Sequence, residues 1–114
     1  MNEGLWTVVF SSGGIAGGGI IYLANGRALG GDSQYFYRGS YVYDSKASTF
    51  QATVEVIAFV SGAVTVFGMP ISAYSLDVKG TVSGDSATAT AQVREWPTAK
   101  LQMQLVRRAD KIAP

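Results

Sequence analysis

Hydrophobic and polar residues alternate with a period of two along much of the chain. Between residues 50 and 58 the even positions are apolar, whereas residues 51, 53 and 55 are polar. The same alternation runs through residues 76–82 and again through residues 87–93. Because successive side chains of a β-strand point to opposite faces, the pattern predicts three half-buried strands.

Short runs rich in Val, Ile, Tyr and Phe lie between glycine-containing breaks and predict five more strands. These runs span residues 5–10, 19–23, 27–29, 35–43 and 101–106. Asn25 and Gly26 separate the second run from the third and predict a type I′ hairpin, because both residues tolerate its positive φ angles. Segment 61–73 stays open, since its apolar centre, residues 63–67, fits a short strand or a single helical turn.

Eight strands joined by short turns favour an up-and-down meander, and closing it would pair its two exposed edges. We therefore predict an all-β fold, a small eight-stranded antiparallel up-and-down β-barrel. Residues 4–108 would form this single domain, and residues 109–114 would form a C-terminal tail. A barrel of about eight strands has room for packed side chains or for one small ligand.

The composition narrows the chemistry that such a barrel could perform. The 114 residues include no Cys and no His, which excludes thiol nucleophiles, histidine-dependent triads and most transition-metal sites. A net charge of +1 provides no broad field for binding nucleic acid or an anionic membrane. The chain has neither a long apolar run nor the basic and apolar start of a signal peptide, so we expect a cytoplasmic protein.

Carboxylates are the main remaining candidates for catalysis. Asp32, Asp44 and Asp85 fall in predicted turns, where Asp commonly accepts hydrogen bonds from the nearby backbone. Glu55 and Asp77 fall on the polar sides of their strands, and nothing in the spacing marks two carboxylates as a pair. We therefore expect no enzymatic activity, no cofactor and no metal.

Two glycine-rich segments, residues 17–19 and 30–32, are also candidates for binding phosphate. A phosphate-binding loop requires a following helix, and no helix is predicted after either segment. We expect these glycines to lie in turns and bulges instead.

Aromatic side chains are candidates to line a cavity inside the barrel. Residues 35, 37, 41 and 43 are tyrosines on one face of a predicted strand, and a row of alanines at 87, 89 and 91 would leave space if it points inward. The tyrosine face would either pack the core or orient an apolar ligand through its hydroxyl groups. The candidate cavity-lining residues are Trp6, Tyr22, Tyr37, Tyr41 and Phe50.

The first two predicted strands, residues 5–10 and 19–23, are apolar on both faces. The interior of one small barrel can bury only one face of each strand, so a surplus of apolar surface would remain outside. A homodimer would bury this surplus, and we expect one.

Glycines and their neighbours recur in a defined order over roughly residues 4–41. The order is Gly4, Gly17-Gly18-Gly19, Asn25-Gly26, Gly30-Gly31-Asp32 and Tyr37-Arg38-Gly39. It resembles the N-terminal half of the GrlR family, negative regulators of bacterial type III secretion. Farther on, a looser similarity includes Val66-Phe67-Gly68, Leu76 with Gly80 and Gly84, and Pro97.

The resemblance implies a calycin-like eight-stranded barrel, often dimeric and without catalytic activity, that binds and holds a transcriptional activator. In those regulators an acidic run recognises the partner, in the loop where this chain has Asp44, Ser45 and Lys46. These three residues are the candidate partner-binding loop, although they include one acid and one base. The leading hypothesis is a regulatory protein-binding barrel, and the alternative is a carrier or sensor of a small apolar ligand.

Overall fold

The computed structural model describes residues 1–113, and its eight strands form one closed antiparallel barrel. The strands are β1 (Gly4–Ser12), β2 (Ile15–Ala24), β3 (Arg27–Gly31), β4 (Tyr35–Asp44), β5 (Thr49–Ala58), β6 (Ala73–Ser83), β7 (Ser86–Val93) and β8 (Lys100–Asp110). Each strand pairs with its neighbours in sequence, and β1 also pairs with β8, which closes the barrel. The predicted all-β, eight-stranded antiparallel up-and-down barrel is confirmed.

The strands are longer than the side-chain pattern indicates. β2 begins at Ile15, so the glycines of residues 17–19 lie inside a strand and pair with β1 instead of forming a turn. β8 continues to Asp110, so the barrel includes residues 109 and 110, which the sequence assigns to the tail. Glycine has no side chain to alternate, so the pattern cannot reveal a strand that backbone pairing alone defines.

Tight turns join several of the strands. Asn25 and Gly26 have φ angles of 54° and 73°, which confirms the predicted hairpin between β2 and β3. Between β5 and β6, residues 59–72 form a long loop that contains turns and neither strand nor helix. The ambiguous centre of this segment, residues 63–67, therefore adopts neither of the two predicted structures. Within residues 1–113 there is no helix with the length and hydropathy that a membrane span requires.

The meander places its connections alternately at the two ends of the barrel. One end has the β1–β2 turn, the β3–β4 connection at residues 32–34, the 59–72 loop and the β7–β8 connection. We call it the hollow end, because the interior of the barrel is not filled there. The other end holds the N-terminal residues, the end of β8 and the remaining three turns, and we call it the packed end.

The packed end is filled by large side chains. Trp6 is completely buried there, and its indole Nε1 donates a hydrogen bond to the Asn2 carbonyl at 3.0 Å. A Cβ atom on Gly80 would lie 2.5 Å from the Phe50 ring, so this glycine leaves the space that Phe50 occupies. Arg107, the register partner of Trp6, donates from Nε to the Glu3 carbonyl at 2.8 Å and joins the two chain ends.

Candidate functional site

The hollow end contains a partly open cavity of about 300 Å³ inside the barrel. Its walls are mainly aliphatic side chains that point inward from five strands: Val8, Ile21, Val54, Val56, Leu76, Val78, Leu101 and Met103. The volume lies at the lower end of the range for small-molecule sites, which are typically concave and mostly apolar. The cavity can therefore accept one small apolar molecule.

The 59–72 loop covers the cavity, and Val64, Thr65 and Val66 of this loop contact it. Thr65 is buried and organises the tip of the loop. Its hydroxyl donates to the Met69 carbonyl at 3.0 Å and accepts hydrogen bonds from the Phe67 and Met69 amides. The loop thus has internal structure of its own despite the absence of a regular element.

Three hydrogen bonds from the β3–β4 connection and the start of β4 hold this loop over the cavity. The Gln34 carbonyl accepts from the Phe59 amide at 3.0 Å, and the Gln34 side-chain Oε1 accepts from the Val64 amide at 3.0 Å. The Tyr35 hydroxyl donates to the Ile71 carbonyl at 2.7 Å. Opening the loop requires these bonds to break, whereas the strands of the barrel can stay paired.

Asp32 provides the charged group of the cavity lining. Its Oδ1 accepts hydrogen bonds from the Gln34 and Tyr35 amides, each at 2.8 Å, and its Oδ2 accepts one from the Tyr37 hydroxyl. A Cβ atom on Gly19 would lie 2.8 Å from the Tyr37 hydroxyl oxygen, so glycine at this position makes room for that hydroxyl. Both glycine-rich segments of the sequence therefore lie beside this cavity.

Tyr74 is another polar residue of the cavity lining, which also includes Ser33, Gln34, Tyr35 and Thr65. It is more than nine-tenths buried, and among residues 1–113 its hydroxyl has no hydrogen-bond partner. Its ring packs edge to face against the rings of Tyr35 and Phe67, with centroids 6.2 and 6.1 Å away. These contacts fix the ring while the hydroxyl stays free to bond a ligand.

Burial raises the pKa of both Tyr37 and Tyr74 well above the ordinary tyrosine value. The hydrogen bond to Asp32 raises the pKa of Tyr37 further, and the charges of Tyr35 and Asp32 act in the same direction on Tyr74. Both hydroxyls therefore keep their protons at physiological pH and remain neutral hydrogen-bonding groups.

The structure separates the five residues that the sequence offers as cavity lining. Tyr37 lines the cavity, whereas Trp6 and Phe50 belong to the solid core of the packed end. Tyr41 points inward near the same end, and its amide donates to the Gly26 carbonyl. Tyr22 lies on the outer surface, because the odd-numbered residues of β2 face the interior. The Tyr22 hydroxyl accepts from the Ile112 amide at 2.9 Å.

Sequence reasoning missed most of the polar groups around the cavity. Asp32 reads as an ordinary turn residue, and Gln34 and Thr65 belong to no recognisable motif. Tyr74 precedes the alternating stretch that marks β6. The one available signal was the tyrosine row of β4, of which Tyr35 and Tyr37 do line the cavity.

The candidate partner-binding loop lies at the packed end, where Asp44, Ser45 and Lys46 are all exposed. The Asp44 Oδ1 accepts hydrogen bonds from the Lys46 and Ala47 amides at 3.0 and 3.3 Å. The carboxylate is therefore used within its own turn, as the sequence predicts for Asp in turns.

The other carboxylates are separated from one another. Glu55 pairs with Arg38 at 3.4 Å, and Asp77 pairs with Arg94 at 2.6 Å, both on the outer surface. The side chain of Glu95 accepts from the Ser75 amide at 2.7 Å. In the part of the chain that the structure describes, no three Asp or Glu side chains converge as a metal site would require.

The outer surface of the barrel has two contrasting faces. Val9, Ile20, Leu29 and Phe36, which are 55%, 49%, 60% and 37% exposed, form an apolar face on β1–β4. Ile20 and Phe36 lie on either side of Gly31 in the same register row. On β5–β8 the outward residues are mostly Thr, Gln and charged side chains. Val9 and Ile20 belong to the two strands that the sequence predicts to be apolar on both faces, whereas Leu29 and Phe36 are added by β3 and β4.

Comparison with known proteins gave no match to any family model and no significant similarity to a curated protein.

Proposed function

We propose that the protein binds one small apolar molecule in the cavity at the hollow end and acts as a non-enzymatic carrier or sensor of that molecule in the cytoplasm. The observation that carries this proposal is the cavity of about 300 Å³ beneath the 59–72 loop. Apolar side chains form most of its walls, and a smaller number of polar groups, among them Asp32, Tyr37 and Tyr74, complete the lining. This distribution is typical of sites that bind by apolar burial and orient the ligand through a few hydrogen bonds.

Burial of apolar surface supplies the binding energy in such a site. Each Å² of apolar ligand surface that leaves water contributes about 25 cal/mol, so an eight-carbon chain can gain several kcal/mol before the cost of immobilisation. The walls already have their bound shape, because paired strands hold Val54, Val56 and Leu101 in place. Little ordering of the protein would accompany binding.

Isothermal titration calorimetry with octan-1-ol tests the proposal. We expect saturable binding of one molecule per chain. The variant Val54→Phe places a larger side chain in the cavity wall and should weaken binding about tenfold or more. Val42→Phe is the matched control, because Val42 lies on the outer surface and is 75% exposed, and it should bind as the wild type does. Binding that Val54→Phe leaves unchanged would refute a site inside the barrel.

The apolar face favours a second candidate function, that of a homodimeric, protein-binding regulator of the kind that the GrlR resemblance suggests. We propose that a second copy of this chain occupies the apolar face. Residues 4–26 contain no charged side chain, and Arg38, the outward register partner of Leu29, is paired with Glu55 at 3.4 Å, which limits like-charge repulsion between two such faces. Leu29, which is 60% exposed, would become buried in this contact. The candidate loop at Asp44, Ser45 and Lys46 would stay accessible to a regulatory protein at the packed end.

Sedimentation equilibrium distinguishes a dimer from a 12.0 kDa monomer. We expect a wild-type dimer that Leu29→Glu converts to monomer, since this variant buries two like charges at the two-fold contact. Thr90→Glu on the opposite, polar face is the matched control and should remain dimeric. A monomeric wild-type protein at micromolar concentration would overturn the proposed dimer.

A further inference from the structure

The charge in the cavity lining is negative, with no positive charge beside it in residues 1–113. Asp32 is the one charged residue among those that line it in the described part of the chain. The 59–72 loop above the cavity contains no charged residue at all. No basic side chain therefore faces the position where the head of a ligand would lie.

The nearest charged connection, between β7 and β8, does not alter this balance. Arg94 is held on the outer surface by Asp77, with hydrogen bonds of 2.6 and 3.2 Å. Glu95 is held by the Ser75 amide. The local field of the cavity is thus set by Asp32 and by the dipoles of neighbouring hydroxyl groups.

The Tyr37 phenol bonds this carboxylate, and Tyr74 belongs to the same cavity lining. The Tyr37 hydroxyl donates to Asp32 and keeps its lone pairs as acceptors. The Tyr74 hydroxyl has no protein partner in residues 1–113, and Tyr74 is more than nine-tenths buried. A group with several N–H donors and a positive charge would satisfy all three groups together.

We propose that the natural ligand is a small alkyl or arylalkyl amine, whose ammonium group lies against Asp32, Tyr37 and Tyr74 and whose apolar part fills the cavity. This inference rests on the proposed ligand-binding function and specifies the substrate class of the same site. An ammonium group is attracted by the Asp32 carboxylate, which is half-buried and so less screened than a fully exposed charge. A ligand carboxylate would meet a like charge there with no basic residue to neutralise it. The site therefore selects against fatty acids.

Three ligands with the same eight-carbon chain separate the two proposals: octan-1-ol, octylammonium and octanoate, titrated by calorimetry at pH 7. Octan-1-ol reports on the cavity alone. We expect octylammonium to bind about tenfold or more tightly than octanoate, with octan-1-ol between them. If none of the three binds, the proposed ligand-binding function fails. If octan-1-ol binds and octanoate binds as well as octylammonium or better, only the inference about the amine fails.

The variant Asp32→Asn tests the assigned residue. An Asn Oδ1 can accept the same two hydrogen bonds from the Gln34 and Tyr35 amides, so the connection can keep its shape. We expect the preference for octylammonium over octanoate to disappear, while the affinity for octan-1-ol stays within about twofold. Unchanged selectivity in this variant would overturn the inference.

Asp44→Asn is the matched control. Asp44 also accepts two backbone amides through Oδ1, but in a turn at the packed end. Asp44→Asn removes the same formal charge from the protein as Asp32→Asn does, and it should leave the order of the three affinities unchanged. A loss of selectivity in both variants would mean that net charge, and not the Asp32 site, discriminates between the ligands, which would contradict the proposal.

Discussion

The two ends of the barrel interior are both built from inward-facing residues of the same strands, yet one end is solid and the other contains a cavity. At the packed end the Phe50 ring fills the space that Gly80 leaves beside it. At the hollow end aliphatic residues of medium size, such as Val54 and Leu101, line the cavity instead. Large side chains near them, such as Tyr37, lie along the wall beside glycine.

This contrast indicates that one end of the barrel contributes mainly to stability and the other end mainly to ligand binding. An interior near native packing density contributes most to the free energy of folding, whereas unfilled apolar volume leaves binding energy for a ligand. The closed hydrogen-bond network lets the hollow end stay open, because pairing between β1 and β8 does not depend on filling the cavity. Similar substitutions at the two ends should therefore change the free energy of unfolding by different amounts.

The largest difference is expected for deletion of a phenylalanine ring. Phe50→Ala removes a ring that is 5% exposed in the solid core, and should lower the free energy of unfolding by about 3–5 kcal/mol. Phe10→Ala removes a half-buried ring beside the cavity and should cost roughly half of that or less, because fewer contacts are lost. Urea denaturation measures both values. Equal losses would show that the two ends are packed alike.

Substitutions that add side-chain volume should also affect the two ends differently, with a loss of stability of intermediate size at the packed end. At Gly80 a new Cβ would lie 2.5 Å from the Phe50 ring and 2.8 Å from the Ala89 Cβ, so Gly80→Ala should destabilise the protein by about 1–3 kcal/mol. Val54→Phe adds more atoms but directs them into the cavity, so it should change stability by less than about 1 kcal/mol. Thermal unfolding of both variants decides the matter, and a larger loss for Val54→Phe would argue against the cavity.

A smaller effect is expected where the loop closes the hollow end. Gln34→Ala removes the acceptor of the Val64 amide, which should then exchange its hydrogen about fivefold to tenfold faster. The release rate of octan-1-ol should rise with it. Gln51→Ala, on the exposed polar face, is the matched control and should change neither rate. Unaltered exchange at Val64 in the Gln34 variant would mean that this hydrogen bond does not hold the loop.

The smallest effect is expected for the pH dependence of stability that Glu3 contributes at the packed end. The Asn25 amide and Lys111 hold the pKa of Glu3 below its ordinary value of 4.5. A lowered pKa in the folded state stabilises the protein above the unfolded value and loses this contribution as pH falls through the folded value. Glu3→Gln should therefore be less stable than the wild type at pH 7, with the difference shrinking below about pH 4.5. A difference that grows in acid would reverse the assigned sign.

The sequence predicted the fold better than it predicted the cavity. Alternation identified β5, β6 and β7, and Asn25-Gly26 located a hairpin, because these signals depend on local backbone geometry. The cavity depends on how side chains from five strands fill the interior, which no local pattern records. The sequence therefore predicts Trp6 and Phe50 as cavity lining, although both fill the packed end.

The position of the polar groups was also beyond local reasoning. The 59–72 loop has no periodic pattern, and its place over the barrel depends on bonds to Gln34 and Tyr35 far away in the chain. Asp32 has the expected bonds of a turn carboxylate, but its second oxygen faces Tyr37 only because β3 and β4 pair beside the cavity. Sequence could predict the turn and not the site.

A methyl chemical-shift titration by NMR with octan-1-ol tests the ligand site inside the barrel most directly. We predict that the perturbed methyl groups are those of the hollow end, Val54, Val56 and Leu101, and that Leu23 and Leu105, buried in the core but not lining the cavity, stay unperturbed. Shifts centred on Leu29 and the apolar face, with the hollow end unchanged, would contradict a ligand site inside the barrel.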